Sequence, residues 1–195
     1  MKLLLKVLLP VPVLLAASAV AAYYLLPTKL EVQQSIVLQA PPEEVYALLD
    51  NPMQWEKWSV LNKQEDPSMI HLYGGPMTGT GARMQWSGDR VGNGLVIFTG
   101  SISPASLTYK QSENTATQSI EGSFTLAPVA GGTQVVWRQQ AAVGDNPWQR
   151  LLGAVQKYRK QEEAERGLLG MKTLLLNNSK KKAVKTTRTA YADYH

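Results

Sequence analysis

Apolar and polar residues alternate along most of this 195-residue chain with a period of two, which is typical of half-buried β-strands. Glycine-rich turns at 92–94 and 131–132 join neighbouring segments by only a few residues. Strands joined by such short connections pair antiparallel, because a parallel pair needs a long crossover. The pattern therefore predicts an antiparallel sheet. Its strands are expected at 30–38, 69–73, 82–87, 95–99, 106–111, 118–126 and 135–143.

Helices are predicted within and after this series of strands. Two prolines and two glutamates at 41–44 open a short helix, and a second short helix is expected at 53–57. From Pro147 the apolar spacing becomes helical, and one long helix is expected to run to about Asn177. The fold class is α+β: a curved antiparallel sheet of about six or seven strands around a long C-terminal helix. Five apolar residues share one helical face, expected to cover the sheet: Trp148, Leu151, Leu152, Val155 and Tyr158.

The N-terminal segment 7–26 contains twenty residues without a charge. A helix of that length is about 30 Å long, close to the hydrocarbon thickness of a bilayer. Tyr23 and Tyr24 lie near its far end, where aromatic rings favour the membrane interface. We predict a single-pass N-terminal transmembrane helix over residues 1–28. A cleaved signal peptide stays open as the alternative, because the small residues Ala17, Ala19 and Ala21 suit a peptidase.

The net charge of +5 is concentrated at the two ends of the chain. The tail 179–195 carries +4 and Lys2 and Lys6 carry +2, so the remainder, including the predicted domain 29–178, carries −1. This distribution argues against nucleic-acid binding, since no basic face lies on the domain. The tail is expected to be disordered and to contact anionic lipid head groups. Because the N-terminal lysines precede the apolar segment, we expect the N-terminus to be cytoplasmic and the domain extracytoplasmic, periplasmic in a Gram-negative bacterium.

Several short stretches together resemble one known family. They are Pro41-Pro42-Glu43-Glu44-Val45-Tyr46, Leu49-Asp50-Asn51-Pro52, Trp55-Glu56-Lys57-Trp58-Ser59, Gly79-Thr80-Gly81-Ala82-Arg83-Met84-Gln85-Trp86, Gly92-Asn93-Gly94, Gly132-Thr133-Gln134-Val135-Val136-Trp137 and Gly167-Leu168-Leu169-Gly170-Met171-Lys172. In order and spacing, over roughly 30–175, they resemble the SRPBCC family of START-like and polyketide cyclase/dehydrase-like proteins. The resemblance is closest to its membrane-anchored bacterial branch. It implies a helix-grip fold whose cavity, between sheet and long helix, binds varied hydrophobic ligands and only sometimes catalyses a reaction.

The candidate cavity-lining residues are large and lie on strands whose alternation turns them toward the long helix. We predict that Trp86, Phe98, Phe124 and Trp137 line a ligand cavity and that Val155 and Tyr158 cover it. Core filling by the same residues stays an open alternative. Trp55 and Trp58 are expected to plug the sheet beneath the short helices, with lining of the cavity mouth as the open alternative. Arg83 and Arg138 are expected to point outward.

The sequence offers little chemistry. It has no cysteine, a single domain histidine and no recognisable metal, phosphate-loop or nucleophile motif, so no catalytic residue, metal or cofactor is predicted. The favoured function is a membrane-tethered domain that binds a lipid or another hydrophobic small molecule. One alternative is a cyclase or dehydratase, which would need His71, Tyr109 or Glu121 inside the cavity. The other is an envelope interaction protein with a vestigial cavity, which a cavity too small for a ligand beside an exposed apolar patch would indicate.

Overall fold

The described strands form a single antiparallel sheet with the order β1-β7-β6-β5-β4-β3-β2. In this computed structural model the structure describes residues 10–25, 28–114 and 119–192. The elements are α1 (Pro10–Leu25), β1 (Lys29–Leu38), α2 (Pro42–Leu49), a 3-10 helix (Pro52–Lys57), β2 (Ile70–Gly74), β3 (Arg83–Gly88), β4 (Gly92–Ile102), β5 (Ser106–Glu113), β6 (Ile120–Val129), β7 (Gly132–Ala142) and α3 (Pro147–Ala192). The α+β helix-grip architecture predicted from the sequence is confirmed.

The sheet is built by hairpins, and the first strand pairs with the last. β1 and β7 run in register from Lys29 opposite Ala142 to Leu38 opposite Thr133. Along each central strand every second residue is buried, so one face of the sheet supplies the core and the other meets solvent. Arg83 and Arg138 lie on the solvent face, as predicted.

The two short helices close one part of the sheet with tryptophan side chains. Asn51 caps the 3-10 helix by accepting a hydrogen bond from the Met53 amide at 2.9 Å. Trp55 and Trp58 are both buried, and their indole N–H groups donate to backbone carbonyls at the end of α2, at 2.8 Å and 3.0 Å. The predicted plug is therefore confirmed, and its polar atoms are satisfied.

The middle of α3 packs against the sheet. Ala164, Leu168, Met171 and Leu175 are buried, and their three- and four-residue spacing places them on one helical face. Gly170 permits the closest approach, since a β-carbon there would overlap the backbone carbonyl of Trp58. This contact fixes the helix against the plug.

The helix continues further than the sequence suggests. A disordered tail is predicted over 179–195, whereas α3 remains helical through Ala192. The physical reason is that no glycine or proline follows Gly170, and lysine, arginine and alanine are all good helix formers. Residues 193–195 lie outside the described chain.

The first part of α3 presents its apolar face in the opposite direction from the one expected. Trp148, Leu151, Leu152, Val155 and Tyr158 do share one face, but they are 44–71% exposed. The prediction that Val155 and Tyr158 cover the cavity is wrong. The face turned toward the domain is built instead from buried Gly153 and Lys160, and the missing side chain of Gly153 lets the helix approach Val143 closely.

α1 is apolar and largely exposed where its side chains are described. The guanidinium of Arg150 in α3 donates to the Tyr23 carbonyl and lies 4.3 Å from the centre of the Tyr23 ring. Within the described parts of the chain, no helix combines the length and the apolar character that crossing a bilayer requires. Residues 7–9 and 26 of the predicted membrane segment lie outside the described residues, so its transmembrane character stays a prediction.

Candidate ligand pocket

The interior between sheet and helix is filled mainly by aromatic rings. Phe124 lies 4.7 Å from Trp137 and 6.1 Å from Trp58, measured between ring centres, and Trp55 lies 5.4 Å from Phe98. All five side chains are buried. The predicted lining residues Phe98 and Phe124 are therefore packed core residues in this conformation, and the open alternative of core filling describes them better.

A small pocket remains where the aromatic core meets α3. Its volume is about 30 Å³, the share of liquid volume of a single water molecule. Pockets for drug-sized ligands measure about 300–1,000 Å³, so this space does not accommodate a lipid as it stands. Of the predicted lining residues it contains Trp86 and Trp137. The complete lining is Trp55, Ser59, Val60, Leu61, Trp86, Val91, Gln111, Glu113, Trp137, Gln139, Arg159, Lys160 and Glu163.

Larger depressions lie on the outer face of the sheet. One of about 700 Å³ is bordered by Glu31, Glu121 and Gln140, which are exposed strand side chains. Its lining is more polar than apolar, whereas the lining of the internal pocket is mainly apolar and suits an apolar ligand better. The small internal pocket is therefore the better candidate site despite its volume.

Two buried polar atoms of the pocket residues have no hydrogen-bond partner. The Tyr109 hydroxyl accepts from the Trp137 indole at 2.8 Å and from the Gln139 amide nitrogen at 3.1 Å. The amide oxygen of Gln139 and the indole N–H of Trp86 are then left unpartnered. Buried polar groups are normally satisfied, so one spare acceptor and one spare donor at a pocket indicate a place for a polar guest.

Burial raises the pKa of the Tyr109 phenol far above its usual value, against the opposing effect of the hydrogen bonds from Gln139 and Trp137. The phenol therefore stays protonated at any physiological pH. It acts as a neutral hydrogen-bonding group that holds the Gln139 side chain in place.

An ion cluster centred on Lys160 closes the pocket on the helix side. Lys160 is only 5% exposed; its ammonium group donates to Glu113 of β5 and, at 2.7 Å, to Glu163 one turn along α3. The Gln111 amide also donates to Glu113, at 2.7 Å. Burial acts to lower the pKa of Lys160, but the charges of Glu163 and Glu113 outweigh it and raise the pKa above its usual value.

Lys160 is not among the site residues predicted from the sequence. The available signal was its position, since it precedes buried Ala164 by four residues and so occupies the helical face that packs on the sheet. A lysine on that face needs a carboxylate partner, and the partner on another element was Glu113.

The three candidate acid–base residues are not brought together. Glu121 is exposed and pairs with Lys110 at 3.2 Å, whereas Tyr109 lies in the core. The His71 side chain is 5% exposed, and its Nδ1 lies 3.4 Å from a carboxylate oxygen of Glu56. Burial lowers the pKa of His71, although Glu56 opposes the shift. The side chains of Tyr109 and His71 are both buried, so their positions remain compatible with a cyclase-type activity.

The described residues contain no group of three or more histidine, aspartate or glutamate side chains arranged to hold a metal ion. The Lys160 ammonium already occupies the space between the Glu113 and Glu163 carboxylates, so this cluster closes the pocket.

Comparison with known proteins identifies the class and the family. The sheet wrapped on a long C-terminal helix defines a helix-grip protein. Residues 29–175 match the family described as polyketide cyclase / dehydrase and lipid transport. Since this match spans most of the chain, the protein belongs to that family. No sequence among the curated proteins matches it.

Solved structures share the fold at low sequence identity. The di-domain aromatase/cyclase StfQ of the steffimycin biosynthetic pathway gives a TM-score of 0.59 at 10% identity, covering 78% of this chain and 52% of its own. Ara h 8.0201 gives 0.57 at 13% identity, covering 76% and 99%. Protein CV1439 from Chromobacterium violaceum gives 0.52 at 18% identity, covering 75% and 96%. These likenesses establish the fold alone.

Proposed function

We propose that this protein is a membrane-held, non-catalytic binding module for a small apolar molecule that carries one hydroxyl-like group. The observation that carries the proposal is the pair of unpartnered buried atoms, Trp86 Nε1 and Gln139 Oε1, on residues that line one pocket. A hydroxyl group supplies both an acceptor and a donor, and so suits such a pair. Aromatic walls from Trp55, Trp86 and Trp137 suit an apolar body.

Binding requires the pocket to widen. The strands and the tryptophan plug are densely packed, so the movable wall is the helix side, where Lys160 is held by Glu113 and Glu163. Residues 148–159 of α3 bury little of their apolar surface, so little packing opposes their displacement. The ligand would enter as this segment moves away from the sheet.

A ligand titration of the full-length protein in detergent micelles tests the proposal. The indole N–H signal of Trp86 is followed in ¹⁵N NMR spectra, because this group is one of the two unpartnered polar groups. Cyclohexanol should shift that signal saturably and bind about tenfold more tightly than chlorocyclohexane, which has a similar size but no hydroxyl. Gln139→Leu should remove the discrimination. Gln140→Leu, the exposed neighbour, should leave it unchanged. If neither compound shifts the Trp86 signal, the ligand proposal is refuted.

Membrane attachment through residues 7–26, with the domain outside the cytoplasm, belongs to the same proposal. It is supported by the twenty uncharged residues and by the lysines that precede them. A C-terminal fusion to a reporter that works only in the cytoplasm should be inactive. An active reporter would contradict the extracytoplasmic location of the domain, and the proposal for the ligand pocket would not be affected.

A second candidate function is an envelope interaction protein with a vestigial cavity. Two observations favour it: the pocket volume of about 30 Å³ and the exposed apolar face of residues 148–158. In that case neither cyclohexanol nor chlorocyclohexane shifts the Trp86 signal, and the exposed face carries the function instead.

A further inference from the structure

The first part of α3 is amphipathic with its apolar side turned away from the domain. We call the exposed residues Trp148, Leu151, Leu152, Val155 and Tyr158 the outward face. The opposite side of the same segment is accounted for, since Gly153 approaches Val143 and Lys160 is ion-paired. An apolar stripe of about three turns that faces water is unfavourable, so we expect another surface to cover the outward face.

The charges on this segment have one sign. Lys157 and Arg159 are its exposed cations, Arg150 is half-buried and donates to the Tyr23 carbonyl, and the first acid of the helix is Glu162. Two aromatic residues with polar edges, Trp148 and Tyr158, lie at the two ends of the stripe. Apolar residues flanked by cations and by interfacial aromatics match an anionic bilayer surface better than a neutral protein surface.

The neighbouring elements place this segment beside the apolar helix α1. Arg150 in the first turn of α3 donates to the Tyr23 carbonyl near the end of α1. The Val143 amide donates to the Thr28 carbonyl at 2.9 Å, which ties the two connections together. The start of the outward face is thus held at the level of Tyr23 and Tyr24, the residues expected at the membrane interface.

We propose that the outward face docks flat on the surface of an anionic lipid bilayer, with its apolar side chains among the acyl chains and its cations at the phosphates. The inference rests on the proposed membrane attachment and adds a second, in-plane contact to it. A helix of this kind binds through buried apolar area plus attraction to anionic lipid. The outward orientation of residues 148–158 is then a requirement of the docking.

Because the sequence contains no cysteine, one introduced cysteine can be spin-labelled specifically. Full-length protein carrying Val155→Cys is labelled and reconstituted into vesicles of phosphatidylcholine and phosphatidylglycerol. The matched control is Thr125→Cys, an exposed position on β6. Collision with oxygen, which concentrates in lipid, should dominate at 155, whereas collision with a water-soluble nickel chelate should dominate at 125. In vesicles of phosphatidylcholine alone, the accessibility of the label at 155 to the nickel chelate should be at least about twofold higher, because the anionic lipid is missing.

The outcomes separate the docking from the attachment. If the protein floats with vesicles but the label at 155 collides with nickel as readily as the label at 125, the docking is overturned and the attachment stands. If the protein fails to float, the attachment itself is overturned. Spin–spin broadening at 155 with both collision partners excluded would identify a second copy as the occupant and would also overturn the proposal.

Discussion

The two parts of α3 meet the rest of the molecule in opposite ways. In the part from 164 to 175, Ala164, Leu168, Met171 and Leu175 face the sheet and are buried. In the part from 148 to 158, the outward face points away from the sheet and is exposed. Lys160 lies between these parts, with its charge neutralised by Glu113 and Glu163. Helical spacing therefore identifies which residues share a face. The direction of that face depends also on the contacts that residues on the opposite side make with the sheet.

The largest expected difference between the two parts concerns leucine truncation. Leu168→Ala removes a buried side chain and leaves a cavity, which should lower the free energy of unfolding by about 2–5 kcal/mol. Leu152→Ala, in the exposed part, should change it by no more than about 0.5 kcal/mol. Urea unfolding of the full-length protein, followed by the fluorescence of the buried tryptophans, measures both. Equal effects would mean that the outward face is buried in the folded protein.

Lys160→Met should have an intermediate effect. The substitution leaves Glu113 and Glu163 facing each other without their shared cation, and we expect a loss of about 1–3 kcal/mol because both carboxylates keep partial access to solvent. Adding Glu113→Gln should recover part of the loss. No recovery in the double variant would contradict the ion cluster as the cause.

The same residue predicts a pH dependence at the alkaline end. Because the pKa of Lys160 is raised in the folded protein, its contribution is fully present below the pKa of the unfolded chain and is lost as pH rises through the folded value. Wild type should therefore lose stability above about pH 10.4, the ordinary lysine pKa, more steeply than Lys160→Met. Parallel alkaline profiles from thermal unfolding would contradict this assignment.

The smallest difference separates two helix glycines. A β-carbon at Gly170 overlaps the backbone of Trp58, which cannot move aside, whereas one at Gly153 meets only the side chain of Val143. Alanine gains about 1 kcal/mol of helix propensity at either position, so Gly170→Ala should be destabilising by about 1 kcal/mol net and Gly153→Ala close to neutral. Thermal unfolding of the two variants side by side checks the order, and a reversed order would mean that 147–159 is the more tightly held part.

Much of the fold could be predicted because its signals are local. Period-two alternation and glycine turns predicted all seven strands, and Trp55 and Trp58 were correctly placed in the plug. The end of α3 was predicted too early, since a basic composition was interpreted as disorder although nothing in it breaks a helix.

The candidate site was less predictable because it depends on contacts between distant elements. Trp86 and Trp137 were correctly expected to face inward, but their neighbours Phe98 and Phe124 fill the space that a cavity would occupy. Whether large side chains line a cavity or fill it depends on their summed volume against the curvature of the sheet, and neither is a property of single positions. The pairing of Lys160 with Glu113 is likewise a tertiary contact.

Pairing of the first strand with the last has a geometric consequence for the whole molecule. Because Lys29 lies opposite Ala142, α1 and α3 both join the sheet at the same end, and the turn at 131–132 lies at the other. A ten-residue strand measures about 33 Å, so β1 acts as a rigid spacer of roughly that length. An attachment of α1 to any surface would therefore also fix the distance between that surface and the distal turn.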